Sequence, residues 1–237
     1  SLLQPIVESG RVDDQLVHKL AALENELLRL QSVVVAFSGG ADSAFLAAAA
    51  TRVLGAARVH AVTAVSPSLA GDEEADCRSL ADEWGLRWTP VATEEMERAA
   101  YRLNDTDRCY HCKAELMDVV GPIAAAEGSI VVLGVNLDDL GDHRPGQRAA
   151  TEAGAEFPLV SAAFTKADVR DASKALGLRT WDKPAAACLA SRIPYGTEVS
   201  VEILGRVDRA EAALHRGARY RYVTVDLEGF RSGNLNG

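Results

Sequence analysis

Val33-Val-Val-Ala-Phe37-Ser38-Gly39-Gly40-Ala41-Asp42-Ser43 is the stretch whose reading decides the fold. Residues 33–37 are wholly apolar and rich in β-branched side chains, the pattern of a strand buried on both faces. Gly39 and Gly40 then let the backbone turn so that successive N–H groups converge on one point. An alanine-rich run to Leu54 follows as a helix, with Gly55 as its stop. The positive end of that helix faces the same loop, which makes the whole an anion cradle. Ser38 and Ser43 add hydroxyl donors, and Asp42 is suited to hold a magnesium ion that neutralises phosphate charge. The phosphate loop of the form G-x-x-x-x-G-K-[ST] is a different solution, and the chain lacks it.

The same alternation continues on either side. Leu16, Leu20, Leu23, Leu27 and Leu30 recur at helical spacing, so residues 12–30 are expected to form an amphipathic helix. Strands are expected at 59–65, 86–91 and 130–134, and helices at 72–84 and 112–126. The helix at 72–84 opens with acids that suit its positive end and closes at Gly85. Strands alternating with helices predict an α/β fold, a parallel sheet with helices on both faces. Ligands of such sheets sit at the carboxyl ends of the strands. After Gly134 the texture changes. Residues 136–147 read as a polar loop, and Thr165-Lys-Ala-Asp168 as a capping box for a helix ending at Gly177. Residues 183–196 are irregular, 201–215 helical, and 220–227 alternate like a strand. A boundary near Phe164 would divide a nucleotide-binding domain, 1–164, from a smaller C-terminal α+β part, 165–237.

The 237 residues are 48% hydrophobic and 25% charged, which excludes disorder and allows one large domain with an appendage. No apolar run is long enough to span a bilayer, and no secretory pattern opens the chain, so a cytoplasmic protein without membrane partners is expected. Thirty-four acidic residues against 25 basic ones give a net charge of −9. With no run of Lys and Arg, this favours a small-molecule substrate over nucleic acid.

The four cysteines are Cys77, Cys109, Cys112 and Cys188. In a reducing compartment they point to metal or redox work rather than to a disulfide framework. Arg108-Cys109-Tyr110-His111-Cys112-Lys113 holds two thiols at a spacing that can ligate one metal or one corner of an iron–sulfur cluster. A helix beginning there would help keep both ionised. Lys183-Pro-Ala-Ala-Ala-Cys188-Leu-Ala-Ser191-Arg192-Ile-Pro-Tyr195-Gly196 puts a third cysteine among cations, of which Arg192 can also clamp a phosphate or carboxylate. Gly134-Val-Asn136-Leu-Asp138-Asp139-Leu-Gly-Asp142-His-Arg144-Pro-Gly146 begins where a strand ends, and its three aspartates suit a metal or a cationic substrate. Each motif has a bland counterpart: a glycine-rich turn, buried structural cysteines, or a solvated acidic loop. Cys77 lies mid-helix with no partner nearby and reads as inert.

SGG-x-DS after a first strand resembles the PP-loop of the ATP-pyrophosphatase superfamily, whose members cleave ATP between the α- and β-phosphates and form adenylated intermediates. That resemblance implies adenine near Val65 and Ser66. The four motifs together, with Asp226-Leu-Glu-Gly-Phe-Arg231-Ser-Gly, resemble the LarE family over nearly the whole chain. The string C-L-A-S-R-I-P-Y-G is the most specific, since no generic fold requires it. The resemblance implies ATP-dependent sulfur insertion into pyridinium-3,5-biscarboxylic acid mononucleotide through an acyl-adenylate, for nickel-pincer nucleotide biosynthesis. The implied cofactors are ATP, Mg2+ and a [4Fe–4S] cluster on Cys109, Cys112 and Cys188, which would leave one iron open.

The implied nucleotide set is Ser38, Gly39, Gly40, Asp42, Ser43, Ser66, Lys113 and Gly134. The implied substrate set is Asn136, Asp138, Asp139, Asp142, Arg144, Ser191 and Arg192, with Cys188, Asp42 and Arg192 catalytic. A sulfide donor and a homo-oligomer are the partners implied. Against the family pattern, residues 211–215 and 220–227 are joined almost directly at Gly217, so either part of the C-terminal region is missing near 214–220 or this member of the family is shorter there. Glu211 matches an acidic metal-site residue of the family. Open alternatives are sacrifice of sulfur by Cys188 without a cluster, a cluster-dependent tRNA thiolase, a zinc site including His111, and a sensor that holds ATP without chemistry.

Overall fold

The computed structural model describes residues 13–140, 145–184 and 187–218. In chain order its elements are α1 (Asp14–Leu30), β1 (Val33–Ala36), α2 (Ala41–Leu54), β2 (Val59–Val65), α3 (Gly71–Trp84), β3 (Trp88–Ala92), α4 (Ala99–Arg102), α5 (Arg108–Ala126), β4 (Ile130–Val132), α6 (Pro145–Glu152), α7 (Pro158–Ser161), α8 (Lys166–Ala175) and α9 (Val201–Ala218). The strands form one sheet in the order β3-β2-β1-β4. Every pairing is parallel, with Val33 opposite both Val59 and Ile130. This is the α/β architecture that the alternation predicts.

Strand β1 lies at the centre because both of its faces are apolar. Val33 and Val35 join α1, α2 and α8 in one core, where Leu20, Leu23, Leu27, Phe45 and Phe164 are buried. Val34 points the other way, against Leu116, Met117 and Val120 of α5. A period of two along one strand therefore serves two helical layers. Asp13 caps α1 by accepting from the Leu16 N–H at 2.7 Å. Gly55 and Gly85, both at positive φ, close α2 and α3 as the sequence predicts. A third, smaller core joins Leu204 and Val207 of α9 to Leu189, Ile193 and Tyr101.

Several segments differ from the sequence reading. Helix α5 begins at Arg108, not at Cys112, so both cysteines of the C-x-x-C lie within its first turns. The polar stretch after Gly134 is not one loop. Asn136 caps a 3-10 turn at Leu137–Asp139, and α6 starts at Pro145, with proline at the position where its missing N–H costs nothing. The short helices α4 and α7 have no counterpart in the sequence reading. Thr165 and Asp168 do form the predicted capping box, at 2.7 and 3.2 Å. The expected strand at 220–227, Asp142, Arg144, and the Asp226–Gly233 motif lie outside the described residues.

Candidate functional site

The loop between β1 and α2 opens on a cavity of about 380 Å³ at the carboxyl edge of the sheet. Gly39 sits at φ +69°, a conformation few residues but glycine adopt, and a Cβ there would lie 2.8 Å from the Cys77 sulfur. Gly40 has φ −72° and serves as the N-cap of α2. Of the two glycines, only the first is demanded by conformation. The Ser38 and Ser43 hydroxyls lie 3.0 Å apart, and Ser43 Oγ accepts from the Ser38 N–H at 3.2 Å. The loop is thus braced by its own hydroxyls before any ligand enters.

Asp42 lines the cavity in the first turn of α2. Burial raises its pKa, against the nearby charge of Lys166 and a 3.0 Å hydrogen bond from Asn136 Nδ2. Asn136 itself is fully buried. The neighbouring aspartates act as caps. Asp139 Oδ2 accepts from the Asn136 N–H at 3.2 Å, and Asp138 Oδ2 accepts from the Lys166 N–H at 2.6 Å. The acidic run expected to receive a metal or a cation therefore anchors the first turn of α8 to the end of β4.

Ser38, Gly40, Asp42, Ser43, Ser66, Lys113, Gly134 and Cys188 all line the cavity. Gly39 does not, but its carbonyl accepts from Lys183 Nζ at 3.1 Å. Lys183 also reaches Asp76 at 2.8 Å and Glu73 at 3.4 Å. Burial alone would lower its pKa. The bond to Asp76 and the charge of Glu73 outweigh that, and the pKa is raised. Lys166 and Arg170, one turn apart on α8, line the same cavity, and the sequence reading singled out neither. With Lys113 and Lys183 they bring four cations to its wall. Lys183→Met is expected to cost about 1–3 kcal/mol of stability by stripping a partner from the buried Gly39 carbonyl and from the half-buried Asp76 and Glu73. It should also raise KM for ATP more than it lowers kcat, as chemical denaturation and ATP titration will report.

Of the three cysteines, Cys112 and Cys188 line the cavity and Cys109 does not. Cys109 and Cys188 are exposed, Cys112 is half-buried, and all are free thiols. Burial pushes the Cys112 thiol up to about 12, with Lys113 opposing and the charges of Cys188 and Cys109 adding to the rise. The expectation that the helix start would keep both thiols ionised does not hold for Cys112. Cys109 and Cys112 share the first turns of α5, and Cys112 lines the cavity together with Cys188. A buried tie holds their segments together. Arg108 Nη1 donates to Asn104 Oδ1 at 2.5 Å and to the Ala190 carbonyl at 2.8 Å. Asn104 Nδ2 donates to the carbonyls of Ile193, Pro194 and Thr197 at 2.8 to 3.2 Å.

Arg192 does not line the cavity. Its Nε donates to Glu211 at 2.9 Å, and its Nη1 to the carbonyls of Ala187 at 2.6 Å and Cys188 at 3.1 Å. It braces the Cys188 turn from behind. Ser191 Oγ likewise donates to the Cys188 carbonyl at 2.5 Å. Among the described residues no three His, Cys, Asp or Glu side chains converge closely enough to hold a single metal ion. A [4Fe–4S] cube is far larger than one ion, so its ligands stand further apart. Three free thiols from two tied segments are a donor set whose chemistry suits it.

The sequence profile of the family described as NAD synthase matches residues 16–116, the part of the chain that carries the glycine loop. An uncharacterised Synechocystis protein is 40% identical over 260 residues, covering 92% of this chain and 97% of its own. The pyridinium-3,5-bisthiocarboxylic acid mononucleotide synthase of Lactiplantibacillus plantarum is 34% identical over 261 residues, covering 93% of this chain and 95% of its own. Both aligned spans exceed this chain's 237 residues, so the relatives carry segments that it lacks. An uncharacterised Methanocaldococcus jannaschii protein is 25% identical over 200 residues, with 83% and 75% covered. The likeness extends along almost the full length of the Lactiplantibacillus enzyme, and the chain belongs to its family, the LarE family of ATP-dependent PP-loop enzymes.

Proposed function

We propose that the chain converts a carboxylate of pyridinium-3,5-biscarboxylic acid mononucleotide into a thiocarboxylate for the nickel-pincer nucleotide, at the expense of ATP. A carboxylate oxygen attacks the α-phosphorus, the bond to the bridging oxygen breaks, and pyrophosphate leaves with the electron pair. The acyl-adenylate then takes sulfur at its carbonyl carbon, and AMP departs with the electrons of the broken acyl–oxygen bond. The observation that carries this reading is the shared cavity, with the Ser38–Ser43 loop and Cys188 on one wall system. The loop N–H groups and the four cations would meet the charge that develops on leaving pyrophosphate. Asp42, oriented by Asn136, is the residue that would hold Mg2+.

Cys109, Cys112 and Cys188 would hold the cluster, which when bound supplies an iron with an open position for an additional sulfide. The chain's own part is to keep Cys188 at the mouth of the cavity through Arg192, Ser191 and Arg108. This reading takes a sulfide donor as partner, a cytoplasmic setting and a homo-oligomer. A second reading, in which Cys188 gives up its own sulfur, is favoured by its exposed thiol on the cavity wall. Anaerobic purification followed by iron, zinc and acid-labile sulfide analysis separates them. The cluster reading expects about four irons per chain, lost in Cys109→Ala. Neither iron nor sulfide after reconstitution leaves the sacrificial route, and zinc in their place contradicts both.

A further inference from the structure

We propose that Glu95 is the counter-charge for the pyridinium ring of the substrate, setting the ring's place between the glycine loop and Cys188. This deepens the reaction proposed above and rests on it. Glu95 opens the 3-10 turn that follows β3, at the carboxyl edge of the sheet. Only 3% of it is exposed, yet it lines the cavity. One carboxylate oxygen accepts from the Ser66 hydroxyl, and no other side chain bonds it among the described residues. No Lys or Arg forms an ion pair with it there. A buried carboxylate whose partner is a neutral hydroxyl is costly to keep unless a ligand completes its surroundings.

Lys183 donates to the Gly39 carbonyl and the charge of Lys166 acts on Asp42, at the loop where phosphates belong. Glu95 lines the same cavity together with Cys112, Lys113 and Cys188. Ser66, its partner, also accepts from the Ser68 N–H at 3.1 Å. The Ser68 carbonyl accepts from the Leu189 N–H at 2.9 Å, next to Cys188, so Glu95 belongs to the sulfur end. A quaternary pyridinium nitrogen has no N–H to donate, and the group that complements it is an anion held close to the ring. An adenine amine needs only a neutral acceptor, which a backbone carbonyl supplies without burying a charge. The buried charge favours the cation.

Nicotinamide mononucleotide and its reduced dihydropyridine form differ in ring charge and serve as probes, with binding to the full chain measured by calorimetry. The wild-type protein should prefer the oxidised, cationic form by about tenfold or more, the scale of a close buried charge pair. Glu95→Gln keeps the shape and the Ser66 bond, and should erase that preference while ATP affinity stays unchanged. A preference that survives in Glu95→Gln, or is absent from wild type, overturns the assignment. Loss of ATP affinity with the preference intact hands the carboxylate to adenine and overturns it too. A parallel assay of wild type for pyrophosphate release with ATP and the dicarboxylate substrate tests the underlying reaction separately: its failure sinks that reaction and this assignment with it, whereas failure of the ring preference alone sinks only the assignment.

Discussion

Gly134→Ala will fold and will lose ATP-dependent pyrophosphate release by about a hundredfold, the scale on which a misplacement of about 1 Å acts. Gly134 lies just past β4 and lines the cavity. A Cβ there would meet the Ser43 nitrogen at 2.7 Å, the Asp42 carbonyl carbon at 2.8 Å and the Ser43 Cα at 2.9 Å. All three are backbone atoms of the first turn of α2, so no side chain can swing aside. The turn must move, and with it the N–H groups and Asp42 that form the phosphate cradle. Overpacking of this kind also costs about 1–3 kcal/mol of stability. Gly40→Ala is the control in the same loop: its φ is −72°, and the nearest atom to a new Cβ is the Ser38 hydroxyl at 3.5 Å. Comparable activity in the two variants would contradict the close-approach argument.

Cys188→Ala is expected to separate the two half-reactions. The thiol is exposed and lines the cavity, while the turn that bears it is held by bonds from the Ser191 and Arg192 side chains to the Cys188 carbonyl, which the substitution leaves in place. Adenylation depends on the glycine loop and the cations, so pyrophosphate release should stay within about tenfold of wild type. Thiocarboxylate formation should fall below detection, whether the sulfur comes from a cluster that needs this ligand or from Cys188 itself. Asp42→Asn should show the opposite pattern, with no pyrophosphate released at all. If Cys188→Ala still made thiocarboxylate, sulfur would have to enter by a route in which this residue has no part.

The fold was legible where a local signal had one physical meaning. A β-branched run followed by two glycines and an alanine-rich helix reads only as a buried strand meeting a phosphate-type turn, and β1 and α2 are those elements. The capping box at Thr165 was equally unambiguous. Asn136-Leu-Asp138-Asp139 was not, because a cap and a metal loop use the same residue types, and the cap is what the backbone N–H groups of Asn136 and Lys166 require. Arg192 was misleading for a related reason: a guanidinium that suits a phosphate suits Glu211 and two carbonyls as well.

Other contributors carried no local signal. Lys166 and Arg170 look like solvated residues of an amphipathic helix until α8 is packed beside the loop. Glu95 lies in an ordinary acidic stretch, and it is buried only when its turn packs against α4 and α5. Cys77, read as inert, packs against Gly39 from behind, with its pKa pushed up to about 11 by burial. Its role is steric, and it depends on α3 lying directly under the loop.

The central claim is that one cavity activates a carboxylate with ATP and then replaces its oxygen by sulfur. The most direct test is a single-turnover reaction of the anaerobically prepared chain with α-labelled ATP and pyridinium-3,5-biscarboxylic acid mononucleotide, followed by mass analysis. The account predicts AMP, pyrophosphate and a thiocarboxylate in equal amounts. Intact ATP, or cleavage to ADP with no sulfur in the product, would contradict it.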